Sequence, residues 1–166
     1  MTTGSDKAGG REQPAEAPWL IIHTDGASRN NPGPAGAGAT AHDEDGALLL
    51  EVSEFLGKAT NNVAEYYALI LMLEACRDLP YSRLRVYTDS QLMANQVTGG
   101  FRVKHKGLQP LAARVRLLFE DYSEVEVQYI PREKNTECDA LANKAIDEGL
   151  LGLKEPLLGS GDSTLF

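Results

Sequence analysis

The sequence predicts a mixed α/β fold in which one five-stranded sheet is flanked by helices. Apolar segments of strand and helix length follow one another as three strands, a helix, a strand, helices, a strand and a helix. The first three strands lie close enough to form an antiparallel meander, and the later two follow helical segments long enough for parallel crossovers. The chain has 166 residues and is 42% hydrophobic, which supplies one domain with a proper core.

The first 17 residues are rich in Gly, Ala, Pro and charge without periodicity, and are expected to be a disordered tail. Order is expected from residue 18. "WLIIHTD" is a short apolar run bounded by turn residues, as in a buried central strand, and it ends on Asp25. "AGAGATAH" and "ALLLEVSEFLG" flank "DEDG", a hairpin signal. Small residues in the first hairpin arm imply that something packs closely over that strand.

"KATNNVAEYYALILMLEACRDLP" reads as a long helix with Thr60 or Asn61 as N-cap and Pro80 beyond its end. On it, Glu65 is the lone charge among Leu69, Met72, Leu73 and Cys76 at helical spacing. "RLRVYTDS" is a second apolar-rich strand that also runs into an aspartate, Asp89. A short helix follows from Ser90, then a basic link, then a helix near Leu108–Asp121. "EVEVQYIP" alternates as a strand and stops at Pro131, and "NTECDALANKAIDEG" reads as a capped helix ending at Gly149. Residues 150–166 contain Gly, Pro and Ser and are expected to form a loose tail.

Composition narrows the function classes. No apolar run approaches the roughly 18 residues of a membrane span, and the N-terminus lacks the apolar core of a signal peptide. Two cysteines, Cys76 and Cys138, are too few for a disulfide framework, so free thiols in a cytoplasmic protein are expected. The net charge of −8 argues against gripping nucleic acid by charge alone. The distribution is uneven, however: between Phe101 and Leu117 stand Arg102, Lys104, Lys106, Arg114 and Arg116, with no acid among them.

Four carboxylates stand out. Asp25 and Asp89 fall at the C-terminal ends of apolar strands, the edge where ligands bind in open α/β sheets. Glu65 and Asp139 lie in the early turns of helices. Each alone has an ordinary explanation as turn former or helix-dipole partner. Gathered at one sheet edge, they would repel unless cations joined them, and an oxygen-rich cluster suits Mg²⁺ or Mn²⁺.

The blocks "TDGASRNNPGPAGAG", "TNNVAEYYAL", "VYTDSQLM" and "ECDALAN", in this order, resemble the signature of the type 1 ribonuclease H (ribonuclease HI) family. The likeness runs from Trp19 to Gly149, so residues 18–149 are expected to be a ribonuclease H catalytic domain. It implies a ribonuclease H-like fold and endonucleolytic hydrolysis of RNA paired to DNA with two Mg²⁺ ions, Mn²⁺ substituting, leaving 5′-phosphate and 3′-hydroxyl ends. Asp25, Glu65, Asp89 and Asp139 match the family's metal-binding catalytic carboxylates. Asn31, Asn61, Asn62 and Gln91 match positions that contact the hybrid in its minor groove, and Thr60 matches one that seats a DNA phosphate. Ser90 belongs to the same substrate-facing group. Short polar side chains there can read 2′-hydroxyls, and contacts to sugar and phosphate give little sequence specificity.

Two departures from the family pattern accompany the likeness. The loop before Asp139, "PREKNTECD", is short and lacks the histidine many members carry. The link "GGFRVKHKGLQPL" is compact and lacks the long Trp-containing basic protrusion of some members. Arg102, Lys104 and Lys106 within it are expected to touch the substrate backbone. No separate hybrid-binding module is expected in the 17 residues ahead of the domain. The protein is expected to be monomeric, with the Leu165–Phe166 terminus as a possible weak protein-docking tail. Alternatives are a ribonuclease H-like binder that does not cut, a metal-stabilised interaction module, and a nuclease that also acts on double-stranded RNA.

Overall fold

The computed structural model describes residues 17–99 and 102–159. The expectations for residues 1–16 and for Leu165–Phe166 lie outside these. The elements are β1 (Trp19–Ser28), β2 (Gly33–His42), β3 (Leu48–Ala59), α1 (Asn61–Ala75), β4 (Arg83–Thr88), α2 (Gln91–Thr98), α3 (Gln109–Phe119), β5 (Glu124–Tyr129), a 3₁₀ turn (Arg132–Lys134) and α4 (Thr136–Leu150). One sheet has the order β3-β2-β1-β4-β5. The β1–β2 and β2–β3 pairs are antiparallel, whereas β1–β4 and β4–β5 are parallel. This is the mixed topology the sequence predicts.

Strand alternation decides which helix covers which face. Leu20 and Ile22 on β1 and Ala35, Ala37, Ala39 and Ala41 on β2 are fully buried in the core shared with α1. The intervening residues of β2 face α4. A Cβ on Gly38 would fall on the Cys138 carbonyl and 2.6 Å from the Ala142 nitrogen, and one on Gly36 would meet the Ala142 carbonyl. The Ala/Gly alternation of "AGAGA" therefore presents methyl groups to one helix and bare backbone to the other. That is the close packing its small residues predict.

Three expectations need correction. β1 does not end on Asp25: antiparallel pairing with β2 carries it to Ser28, opposite Ala35, while its parallel pairing with β4 stops at Thr24 and Thr88. Asp25 thus stands where one neighbouring strand ends and the other continues. The last helix is not side-chain capped, because Asn135 makes no capping bond. Residues after α4 do not hang loose as far as they are described. Leu157 and Leu158 donate to the Phe55 and Leu56 carbonyls at 2.9 and 3.0 Å, and Leu158 is buried. Edge strand β3 offers unpaired main-chain groups, and this segment takes them.

Replacing Gly38 with Ala is expected to lower the unfolding free energy by roughly 1–3 kcal/mol through overpacking against α4. A shift of the urea midpoint measures it, and an unchanged midpoint would mean that α4 can withdraw without cost.

Candidate active site

The site forms where the parallel β1–β4 ladder stops. Register places Thr24 beside Thr88, so the next residues, Asp25 and Asp89, emerge side by side. Glu65 arrives from α1. The approach is close because residue 26 is glycine: a Cβ there would strike the backbone of Ala64 and Glu65. The Gly26 N–H donates to Glu65 Oε1 at 3.2 Å. Carboxylate oxygens of Asp25, Glu65 and Asp89 lie within 4.8 Å of one another. Asp25 and Glu65 are only 4% and 8% exposed, and Asp89 is half-buried.

Asp139, in the first turn of α4, sits outside that trio but close enough to Asp25 to raise its pKa. Its side chain accepts from Asn143 Nδ2 at 3.3 Å, and Asn143 in turn accepts from Arg29 at 3.2 Å. Arg29 also pairs with Asp147 at 2.9 Å, tying the β1–β2 turn to α4.

Burial and crowding push the inner carboxyls toward the protonated form. Asp25 is raised to about 8, first by burial, then by the charges of Asp89 and Asp139 and by sharing hydrogen bonds with both. Glu65 is raised well above its usual value by burial, then by Asp25 and Asp89, against the opposing pull of the Gly26 N–H. A set of hard oxygen donors that cannot all ionise alone fits a hard divalent cation. Among the described residues, Asp25, Glu65 and Asp89 form a group able to hold such an ion, and Asp139 stands beside them.

Beside the carboxylates, the predicted polar residues interlock. The Asn61 N–H donates to Asn31 Oδ1 at 2.9 Å, and the Ser28 N–H donates to Asn61 Oδ1 at 2.8 Å. Thr60 caps α1, its hydroxyl accepting from the Val63 N–H at 3.2 Å. With both amide oxygens engaged, the Asn31 and Asn61 amides have fixed orientations on an exposed surface, and Asn62 is exposed next to them. Ser90 caps α2 through the Met93 N–H, and Gln91 Nε2 reaches Asn95 at 3.3 Å. Arg102 and Lys104 line a cavity of about 540 Å³ with Val103, Gln109, Ala112 and Arg116. Lys106 is exposed in the following turn and does not line it.

His23 lies flat on Tyr87, ring centroids 4.8 Å apart, and burial lowers its pKa, with His42 acting the same way and Glu137 opposing. It is a packed histidine. Cys76 and Cys138 are free and buried. No described helix is long and apolar enough to cross a membrane.

Sequence reasoning missed Asn135. It is 3% exposed, and its Nδ2 donates to the Thr24 carbonyl at 2.8 Å and to Asp89 Oδ2 at 3.3 Å. Its only sequence signal is its place before a helix, which reads as a cap.

In metal-free buffer the raised pKa of Asp25 makes stability pH-dependent with a definite sign. Between the unfolded value of about 4 and the folded value of about 8, the folded chain holds more protons, so stability falls as pH rises. Asp25→Asn removes this loss. Its melting temperature in EDTA is expected to exceed that of the wild type by about 3 °C or more at pH 8.5, and the gap to close toward pH 4.5. A pH-independent gap would refute the assignment.

Comparison with known proteins agrees with this geometry. A family model described as reverse transcriptase-like matches residues 23–145. The ribonuclease HI of Halobacterium salinarum is 38% identical over 136 residues, covering 82% of this chain and 68% of that protein. A bifunctional protein of Mycobacterium tuberculosis is 40% identical over 129 residues, of which this chain spans 35% of the length. The crystal structure of the Halobacterium RNase H1 superposes with a TM-score of 0.74 at 38% identity, covering 78% of this chain and 98% of that one. An RNase H1 isolated from compost, crystallised with an RNA/DNA hybrid, gives 0.74 at 40% identity, with coverage of 79% and 99%. By fold, by the match over most of its length and by its carboxylate cluster, the chain belongs to the type 1 ribonuclease H family of hydrolases.

Proposed function

We propose that this chain hydrolyses the RNA strand of RNA/DNA hybrids by a two-metal-ion mechanism, with Mg²⁺ as the working ion and Mn²⁺ as a substitute. The observation that carries the reading is the trio of carboxylates within 4.8 Å at the end of the parallel ladder. It gains support from a relative that was crystallised on such a hybrid. In this reading Asp25, Glu65, Asp89 and Asp139 would hold the ions. Bound there, two divalent ions supply a lowered pKa for the attacking water and a counter-charge for the departing 3′-oxygen, so the products carry 5′-phosphate and 3′-hydroxyl ends.

The remaining residues bind and orient the substrate. Asn31, Asn61, Asn62 and Gln91 face the minor groove and read its 2′-hydroxyls, which sorts RNA from DNA without reading base sequence. Thr60 and Ser90 stand at the N-termini of α1 and α2, helix ends whose dipoles suit phosphate. Arg102, Lys104 and Lys106 hold the backbone of the strand that is not cut.

The assay is labelled RNA annealed to DNA, incubated with Mg²⁺ or Mn²⁺, beside double-stranded RNA and single-stranded RNA. Hybrid alone is expected to be cut, and Asp89→Asn to reduce the rate by at least roughly 100-fold. An intact hybrid that is nevertheless bound would identify a non-cutting member, and cleavage of double-stranded RNA would widen the substrate class.

Binding of the hybrid in Ca²⁺ or EDTA is expected to weaken steeply with salt. Lys104→Ala and Arg102→Ala should each weaken it and reduce the slope of log affinity against log salt by about 1. A slope unchanged by both would remove the basic link from the substrate path.

A further inference from the structure

An asparagine just before a helix ordinarily spends its side chain on that helix, accepting from the N–H groups of the first turn. Asn135 does not. It stands at the N-cap of α4 with φ −127° and ψ 35° and makes no side-chain capping bond. Both hydrogens of its amide point away from α4. One goes to the Thr24 carbonyl at 2.8 Å and the other to Asp89 Oδ2 at 3.3 Å. Meanwhile its own carbonyl accepts from the Asp139 N–H at 3.2 Å, and its own N–H donates to the Arg132 carbonyl at 2.9 Å.

One 3%-exposed residue therefore touches three of the strand and helix ends that carry the carboxylates. Thr24 immediately precedes Asp25, Asp89 is contacted directly, and Asp139 hangs from the Asn135 carbonyl through its first helical hydrogen bond. A buried amide donating to one oxygen of Asp89 fixes the plane of that carboxylate and leaves its other oxygen for a cation. Having only donors to offer there, an amide adds no charge to a site already short of positive charge.

Building on the metal-site reading above, we propose that Asn135 is a positioning residue for the metal centre. It sets the orientation of Asp89 and the spacing of α4 from β1, and it touches neither substrate nor the reacting atoms. Its removal should weaken metal binding without changing how the exposed face holds the hybrid.

The test is calorimetric titration of the full chain with Mn²⁺ alone, for wild type, Asp89→Asn, Asn135→Ala and Asn135→Leu. The leucine variant keeps nearly the same volume and removes both donors. About tenfold weaker Mn²⁺ binding is expected in both Asn135 variants, with a smaller metal-induced rise in melting temperature and, at saturating Mn²⁺, a lower kcat and an unchanged KM for hybrid. A purely structural role would instead lower the melting temperature equally with and without metal and leave the Mn²⁺ affinity as in wild type; that result overturns the proposal. If Asp89→Asn itself left Mn²⁺ binding unchanged, the metal-site reading would fall instead. Should the variants fail to fold, the side-chain amide resonances of Asn135 in wild type decide: they are expected to shift on titration with Mg²⁺, and unmoved resonances overturn the proposal.

Discussion

Everything in this fold answers to one constraint, the repulsion among carboxylates brought together in a place that water barely reaches. At 4.8 Å, two full negative charges oppose each other by roughly 3–4 kcal/mol at an effective dielectric constant of about 20. A domain of this size has a net stability of only about 5–15 kcal/mol. The chain relieves the strain in the only way open to it without cations, by keeping protons on Asp25 and Glu65 well above the usual carboxylate range. A cluster that must be partly neutralised to exist is a poor structural element and a good cation receptor. Its retention inside an otherwise well-packed domain speaks for a role beyond stability.

Holding such a cluster requires approaches closer than side chains permit, and glycine supplies them where it matters. Gly26 lets the first turn of α1 settle onto β1, so that Glu65 meets Asp25 from one face of the sheet. Gly36 and Gly38 let α4 settle onto β2 from the other, bringing Asp139 within electrostatic range of the same aspartate. The two faces meet past Thr24 and Thr88, where the parallel ladder ends. The carboxylate cluster is thus a product of register: β1 outruns β4, and the gap between them is where helices from opposite layers converge.

This accounts for what could and could not be seen in the sequence. The order of strands and helices along the chain, the hairpin at Asp43–Ala47, the start of α1 at Thr60 or Asn61, the start of α2 at Ser90 and the four acids follow from local periodicity and turn chemistry, which a linear chain displays. The extension of β1 past Asp25 was hidden because it depends on pairing with β2, a non-local event. The return of Leu157 and Leu158 to β3 was hidden for the same reason: Gly, Pro and Ser suggest looseness, and an open strand edge overrides them. Asn135 misleads in a subtler way. Its position is right for a cap, and only three-dimensional structure reveals that its amide is directed at Asp89 instead.

The charge balance poses a last question: how does a chain of net charge −8 hold a polyanion? Part of the answer lies in where the acids sit. On the proposed reading, two divalent ions among four carboxylates cancel half of the net charge at the very place the scissile phosphate must enter. Phosphate would then meet cations that the protein has already collected. The exposed arginine and lysines of the link after α2 extend that favourable field along the surface, without acids of their own between Arg102 and Leu117. A compact link without the long protrusion is sufficient under this arrangement, because attraction at the centre depends on the bound metal while the link supplies only the outer grip. Metal loading and hybrid binding are in that case coupled through the electrostatics of one cluster, and the acidity of the chain as a whole is no obstacle to its handling nucleic acid.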